Sequence, residues 1–266
     1  MNHVIKAQNL AGFNDMMYAD AGAEITSSSL EVFQCEIIAK VAPPTEEEIS
    51  KMKGSQTLIS ALQLRTRDRT YFKALSDKKI TALALEEVRD MLDQSALRIA
   101  MSEIAGQMAA RVGASLLSEG LNGLAKGKLM GGIPGVAPAN VVVIGAGVAG
   151  VTAVHAARGM GAAVVLVDSS INLLRHAQAQ FDSSVVTEVI QEIVLSKRLR
   201  EADVVIGALR PVDGRTPIVV TEEMVEQMAE SSVIIDISID SGGCFETSEV
   251  TSHENPTFKK HDVIHY

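Results

Sequence analysis

The 266-residue chain has no tryptophan, three tyrosines and six phenylalanines. A core built from it must therefore rest on aliphatic packing, the composition of a buried parallel sheet and its covering helices. Only two cysteines occur, Cys35 and Cys244, far apart in sequence. That excludes a disulfide framework and any paired-Cys metal spacing, and reads as two reduced thiols. Basic excess is also missing: 24 Lys and Arg against 33 Asp and Glu leave a net charge of −9, so the footprint of a nucleic-acid binder is absent. No apolar run is long enough for a membrane span, and the opening MNHVIKAQNLAGF lacks the charged-then-apolar order of a signal peptide. A cytoplasmic protein is expected, with no membrane or nucleic-acid partner. Its six histidines and its acids show no metal-ligand spacing. His253, His261 and His265 are scattered near the end and read as structural or surface groups.

What is present is alternation. Apolar runs at 35–42, 57–64 and 80–86 read as strands. Thr45 is placed to cap a helix whose first turn holds Glu46, Glu47 and Glu48, and 66–78 reads as a second helix. The Ala-rich stretch 101–117 predicts a long amphipathic helix capped at or near Ser102. After it, residues 120–140 hold six glycines and two prolines, a break in organisation. The domain division expected is 1–120 and 121–266.

The second half repeats strand and helix more regularly. Strands are predicted at 141–145, 163–168, 184–189, 203–208, 232–239 and 262–266, with helices at 148–160, 171–180, 190–200 and 221–228. Six strands with helical crossovers make an α/β fold with a doubly wound parallel sheet of the Rossmann type, preceded by a smaller and incomplete α/β domain.

One stretch carries chemistry. In NVVVIGAGVAG, 140–150, Gly145, Gly147 and Gly150 form G-x-G-x-x-G between a strand and a helix, with Ala146 and Val148 between them. Gly145 permits the tight turn, Gly147 lets a pyrophosphate approach the backbone, and Gly150 lets helix and strand close up. The helix N-terminus then faces the phosphates. Asp168 ends the next strand, eighteen residues after Gly150. A carboxylate there accepts from ribose hydroxyls and repels a 2′-phosphate, which favours NAD; alternatively it caps the next helix. Ligands of open α/β sheets lie beyond the carboxyl ends of strands, so the loops after 145, 168, 208 and 239 are candidates, Ala208 and Leu209 among them. Asp236 falls inside a strand, as a satisfied buried polar group would. Asp240 lies at a strand end before Ser241-Gly242-Gly243, placed either for proton handling or for forming the turn.

The segments MSEIAGQMAARVGA (101–114), GGIPGVAPANVVVIGAGVAG (131–150), ADVVIGALRPVDGRTPIVVTEEMVEQM (202–228), SVIIDISIDSGGCFETSEVTSHENPTF (232–258) and the closing HDVIHY together resemble the alanine dehydrogenases. A related group, the NAD-binding part of proton-translocating transhydrogenase, shares the glycine turn. The resemblance implies NAD-dependent oxidative deamination of L-alanine, a small amino-acid or oxo-acid substrate, and a homo-oligomer, often a hexamer. It implies that Asp240 matches the catalytic-site aspartate and that Ser102 matches a serine near cofactor and substrate. Two positions depart from the family pattern: Ala42 in KVAPP stands where a lysine is usual, with Lys40 matching only the first lysine of that run, and Gln63 in ALQL stands where a histidine is usual. The family's opening arginine segment and its returning helix would lie outside 1–266, so the chain is expected to be the middle of a longer protein. The other readings are a dinucleotide-binding homologue without deaminase activity and a transhydrogenase-like hydride carrier.

Overall fold

The computed structural model describes residues 3–6, 12–64, 67–91, 95–119, 125–181, 184–211 and 214–266. The chain forms two compact units, 1–97 and 98–266. The boundary lies well before the expected one at 120.

The first unit contains β1 (His3–Lys6), α1 (Asp15–Asp20), β2 (Ala23–Thr26), α2 (Ser29–Phe33), β3 (Ile37–Ala39), α3 (Glu46–Lys51), β4 (Thr57–Ser60), α4 (Arg69–Asp77) and β5 (Thr81–Ala84). β1 and β2 form a parallel pair, and β3, β4 and β5 form a separate parallel sheet in that order. Thr45 caps α3 as expected: its hydroxyl accepts from the Glu48 N–H, and the Glu48 carboxylate accepts from the Thr45 N–H at 2.7 Å. Asp68 caps α4 by accepting from the Tyr71 N–H. The core is small and combines Phe33, Ile38, Ile49, Met52, Leu58, Leu62, Tyr71 and Leu75.

The second unit begins with α5 (Ala96–Ser118). Ser102, expected at its cap, lies in its second turn. The helix starts earlier because Ala96, Leu97, Arg98 and Ile99 are helix-compatible residues with no Gly or Pro among them to stop it. Nor does this helix close the first domain. Its small residues pack inside the second unit, where a Cβ on Gly106 would lie 2.3 Å from the Ala149 carbonyl oxygen and one on Gly113 2.9 Å from Val204.

β6 (Asn140–Ile144), α6 (Val148–Gly159), β7 (Ala163–Asp168), α7 (Ile171–Phe181), β8 (Val186–Val189), α8 (Glu192–Glu201), β9 (Val204–Gly207), α9 (Glu222–Glu226), β10 (Val233–Asp236), β11 (Phe258–Lys260) and β12 (Val263–His265) follow. The sheet order is β11-β12-β10-β9-β6-β7-β8. Leaving out β11, this is the doubly wound order 3-2-1-4-5-6, with β6 first in sequence and central in space. Strand alternation divides the core. Val141, Val143, Val204 and Ile206 join α5, α6 and α7 residues such as Ala110, Ala153 and Phe181 on one face. Val142, Ile144, Val205 and Ile234 join Leu195, Leu199 and Met224 on the other.

β11 was not expected. It pairs antiparallel with β12 through a two-residue turn in which His261 and Asp262 have φ of 51° and 60°. Such turns are usually signalled by glycine, and none stands here. The glycine-rich linker is pinned where it meets the sheet: Lys126 and Lys128 reach the two carboxylate oxygens of buried Asp203 at 2.7 and 2.6 Å, and the Asn140 N–H donates to one of them. Residues 120–124 of the predicted break lie outside the described residues.

Candidate dinucleotide-binding site

The turn after β6 meets two of the steric demands of the glycine pattern, at Gly145 and Gly150. Gly145 has φ of +114°, and a Cβ there would stand 2.5 Å from the Ala208 carbonyl oxygen. A Cβ on Gly150 would stand 1.7 Å from the Gly145 carbonyl oxygen. Both positions therefore require glycine, one for its dihedral and the close strand, the other for helix-to-turn contact alone. Gly147 is the N-cap of α6 and makes no side-chain cap. The first-turn N–H groups of α6 have no intrahelical acceptor, and Val148 opens that turn. The cradle fits a diphosphate.

Asp168 is 6% exposed. One carboxylate oxygen accepts from the Ala146 N–H and the other from the Ser170 N–H, both at 2.7 Å. It thus ties the glycine turn to the end of β7 as well as holding the start of the following loop. Ala208 is buried and donates its N–H to the Ile144 carbonyl, and the Leu209 carbonyl accepts from the Ser238 hydroxyl. Ser102 precedes Gly106 by one helical turn, on the face of α5 that meets the first turn of α6.

The two aspartates after β10 separate cleanly. Asp236 is buried, accepts from the Ser238 and Cys244 N–H groups at 3.0 Å each, and is held above the usual carboxylate range by burial despite its hydrogen bonds. It is the satisfied buried group and it shapes the Ser-Gly-Gly loop. Asp240 sits in a single 3-10 turn, Ile239–Ser241, with its side chain exposed, followed by Gly242 and Gly243 at φ of +101° and +74°. It is therefore both a turn residue and an available carboxylate beyond the strand end. Cys244 is fully buried, and burial pushes its thiol well up. That is an inert packing thiol.

Several polar groups had no sequence signal. His265 is buried; Nδ1–H donates to the Val263 carbonyl, so Nε2 accepts from the Thr247 hydroxyl at 2.8 Å. Burial lowers it to about 4. With Asp236, Ser248 and Tyr266 it lines a cavity of about 220 Å³ beside Ala105 and Met108 of α5. His261 reaches Glu222 at 2.6 Å and Glu226 at 3.6 Å, where Lys260 also pairs with Glu222. The hairpin turn brings these groups together, and the ammonium already supplies a cation there.

In the first unit, Ala42 and Gln63 lie in the loops beyond the carboxyl ends of β3 and β4, the position from which a parallel sheet addresses a ligand. Ala42 is exposed and offers only backbone: its carbonyl accepts from the Ser60 hydroxyl. Gln63 is exposed, has φ of +54°, and its side-chain oxygen accepts from Arg67. Lys40 is paired with Glu48 at 2.6 Å. Glu86 accepts from the Leu62 and Leu64 N–H groups and holds the Gln63 loop in place.

Comparison with known proteins agrees with this arrangement. Residues 109–266 match the alanine dehydrogenase/PNT C-terminal domain, and residues 3–105 match its N-terminal domain. The chain belongs to this family. It is a family of NAD-dependent oxidoreductases. An alanine dehydrogenase of Mycolicibacterium smegmatis is 41% identical over 257 residues, covering 96% of this chain and 68% of that protein. One from Methanococcus maripaludis is 40% identical with the same coverage of each. A solved L-alanine dehydrogenase is 35% identical and superposes with a TM-score of 0.91 over all of this chain and 73% of the other. A transhydrogenase from Sinorhizobium meliloti, 24% identical with a TM-score of 0.80, shares the fold. Among the described residues no helix is long and apolar enough to cross a membrane.

Proposed function

We propose that this chain supplies the dinucleotide-binding domain and part of the substrate domain of an alanine-dehydrogenase-type enzyme. The reaction is L-alanine + NAD⁺ + H₂O to pyruvate + NH₄⁺ + NADH + H⁺. The observation that carries the reading is the turn at 145–150, where two positions accept no side chain and the helix start is left open.

Within this reading Gly145, Ala146, Gly147, Val148 and Gly150 hold the diphosphate, and Asp168 addresses the ribose with the lone pairs left by its two backbone bonds. Ala208 and Leu209 lie against Gly145, and Ser102 stands one helical turn before Gly106, which meets α6. Bound NAD⁺ supplies the hydride acceptor. Asp240 is the carboxylate available to orient substrate or accept a proton, since Asp236 is spent on its own loop. The substrate is a small amino acid or oxo acid. We place the protein in the cytoplasm as a homo-oligomer, hexameric by resemblance.

One observation favours a second reading, a dinucleotide binder without deamination: Ala42 has no group to hold a carboxylate, and Gln63 cannot shuttle a proton near neutral pH. NADH oxidation with pyruvate and ammonium, followed at its nicotinamide absorbance in the full-length gene product, separates the two. Turnover supports the enzyme; NADH binding without turnover supports the binder.

A further inference from the structure

We propose that Arg210 is a second arm of the dinucleotide site, a guanidinium laid along the glycine turn that grips the diphosphate together with it. The proposal rests on the dinucleotide reading and deepens it, because the glycine pattern itself calls for no such residue.

Arg210 stands three residues beyond β9. The backbone before it is fixed, since the Ala208 N–H donates to the Ile144 carbonyl and the Ala208 carbonyl presses on Gly145. The side chain then turns back over the fingerprint. Nε, Nη2 and Cζ lie 3.1, 3.5 and 3.6 Å from the position a Cβ would take on Gly147. The Nε–Nη2 edge, the one that binds oxyanions in a fork, is thus laid across Gly147, where the turn offers bare backbone.

The charge is set where a protein alone would not favour it. Gly147 caps the start of the twelve-residue α6, the positive end of its dipole, and the first turn of that helix contains no acid. Among the described residues the Arg210 guanidinium has no hydrogen-bonding or ion-pair partner, although the chain carries 33 acids. The carboxylate of Asp168 is hydrogen-bonded to the Ala146 and Ser170 N–H groups and forms no ion pair with Arg210 among the described residues. Arg198, by contrast, is paired with Glu188 on both Nε and Nη2. A guanidinium and a helix N-terminus stacked over a bare Cα make a positive pocket whose complement is an anion with several oxygens. A diphosphate fits both arms at once. Affinity should then reside in the diphosphate and fall with salt.

The test measures dissociation constants of NADH, ADP and adenosine for the wild type, Arg210→Ala and Arg210→Lys at two salt concentrations. The side chain is exposed, so the variants should melt with the wild type. The expected result is a weakening of about tenfold or more for NADH and for ADP in Arg210→Ala, no change for adenosine, a shallower salt dependence, and partial recovery in Arg210→Lys. Equal NADH affinity in wild type and Arg210→Ala overturns the proposal and leaves the dinucleotide reading standing. An equal loss for adenosine also overturns it, because Arg210 would then only shape the loop. A wild type that binds no NADH defeats the dinucleotide reading itself.

Discussion

The loop after β6 and the loops after β3 and β4 occupy the same kind of place, the carboxyl end of a parallel strand, and differ in what stands there. After β6 the residue types are those the geometry demands: Gly145 and Gly150 sit where any Cβ collides with backbone, and Asp168 closes the turn through Ala146. After β3 and β4 the scaffold is equally firm, with the Thr45–Glu48 capping box and Glu86 holding the Gln63 loop, yet the positions that would carry charge are Ala42 and Gln63. A firm loop backbone thus does not by itself bring a charged side chain with it. The first unit is a well-built frame with plain residues at its working edge; the second is a frame whose working edge admits few others.

The comparison is broken most severely at Gly150. Gly150→Val puts a branched side chain onto the Gly145 carbonyl, 1.7 Å from the new Cβ. We expect a loss of at least about 3 kcal/mol in urea unfolding and of NADH binding by more than about 100-fold. Gly159→Ala is the control: a Cβ there meets nothing within 4 Å. Near-native binding by Gly150→Val would mean that close helix-to-turn packing is not what forms the site.

The reverse experiment fills the plain edge. Ala42→Lys with Gln63→His, assayed in the full-length gene product, should raise NADH oxidation with pyruvate and ammonium by about 100-fold, the scale of a positioned acid or base. The backbone tolerates both. Ala42 is exposed, and histidine is among the residues that accept the left-handed φ of +54° at Gln63. Unchanged turnover would show that the two positions do not limit activity.

How much of this was legible from the residues follows from how local the cause is. β6, α6 and β7 were readable because an apolar run, three glycines and a terminal aspartate each act within a few residues. The Thr45 cap was readable for the same reason. The start of α5 was misplaced because Ser102 resembles a cap and nothing local stops the helix before it. β11 was invisible because His261 and Asp262 form a turn usually marked by glycine. The segment before residue 35 carries no clear local signal, since β1 and β2 are short and, among the described residues, form a two-stranded sheet of their own. Arg210, the His265–Thr247 pair and the Lys126–Asp203–Lys128 clasp depend on contacts between distant parts of the chain, which no spacing announces.

Acid should affect the second unit in a defined window. His265 is neutral in the fold, and burial takes it from 6.5 to about 4. The unfolded chain therefore binds more protons between those values, so stability is fully present above about 6.5 and is lost as pH falls toward 4, by on the order of 2–3 kcal/mol. His265→Gln should flatten that slope in urea unfolding followed from pH 7 to 4.5. A slope that persists unchanged would assign it to other groups.

A smaller effect sharpens cofactor choice. Asp168→Asn keeps the size of the side chain and removes its charge. NADH should bind about tenfold more weakly, and the preference for NADH over NADPH should narrow. Unaltered discrimination would place the ribose contact elsewhere.

The most direct test of the central claim is a titration of this chain with NADH, followed by nicotinamide fluorescence and repeated with Gly150→Val. Saturable binding by the native chain, lost in the variant, is the predicted result. Absence of saturable binding by the native chain would contradict the assignment of the turn at 145–150 to a dinucleotide.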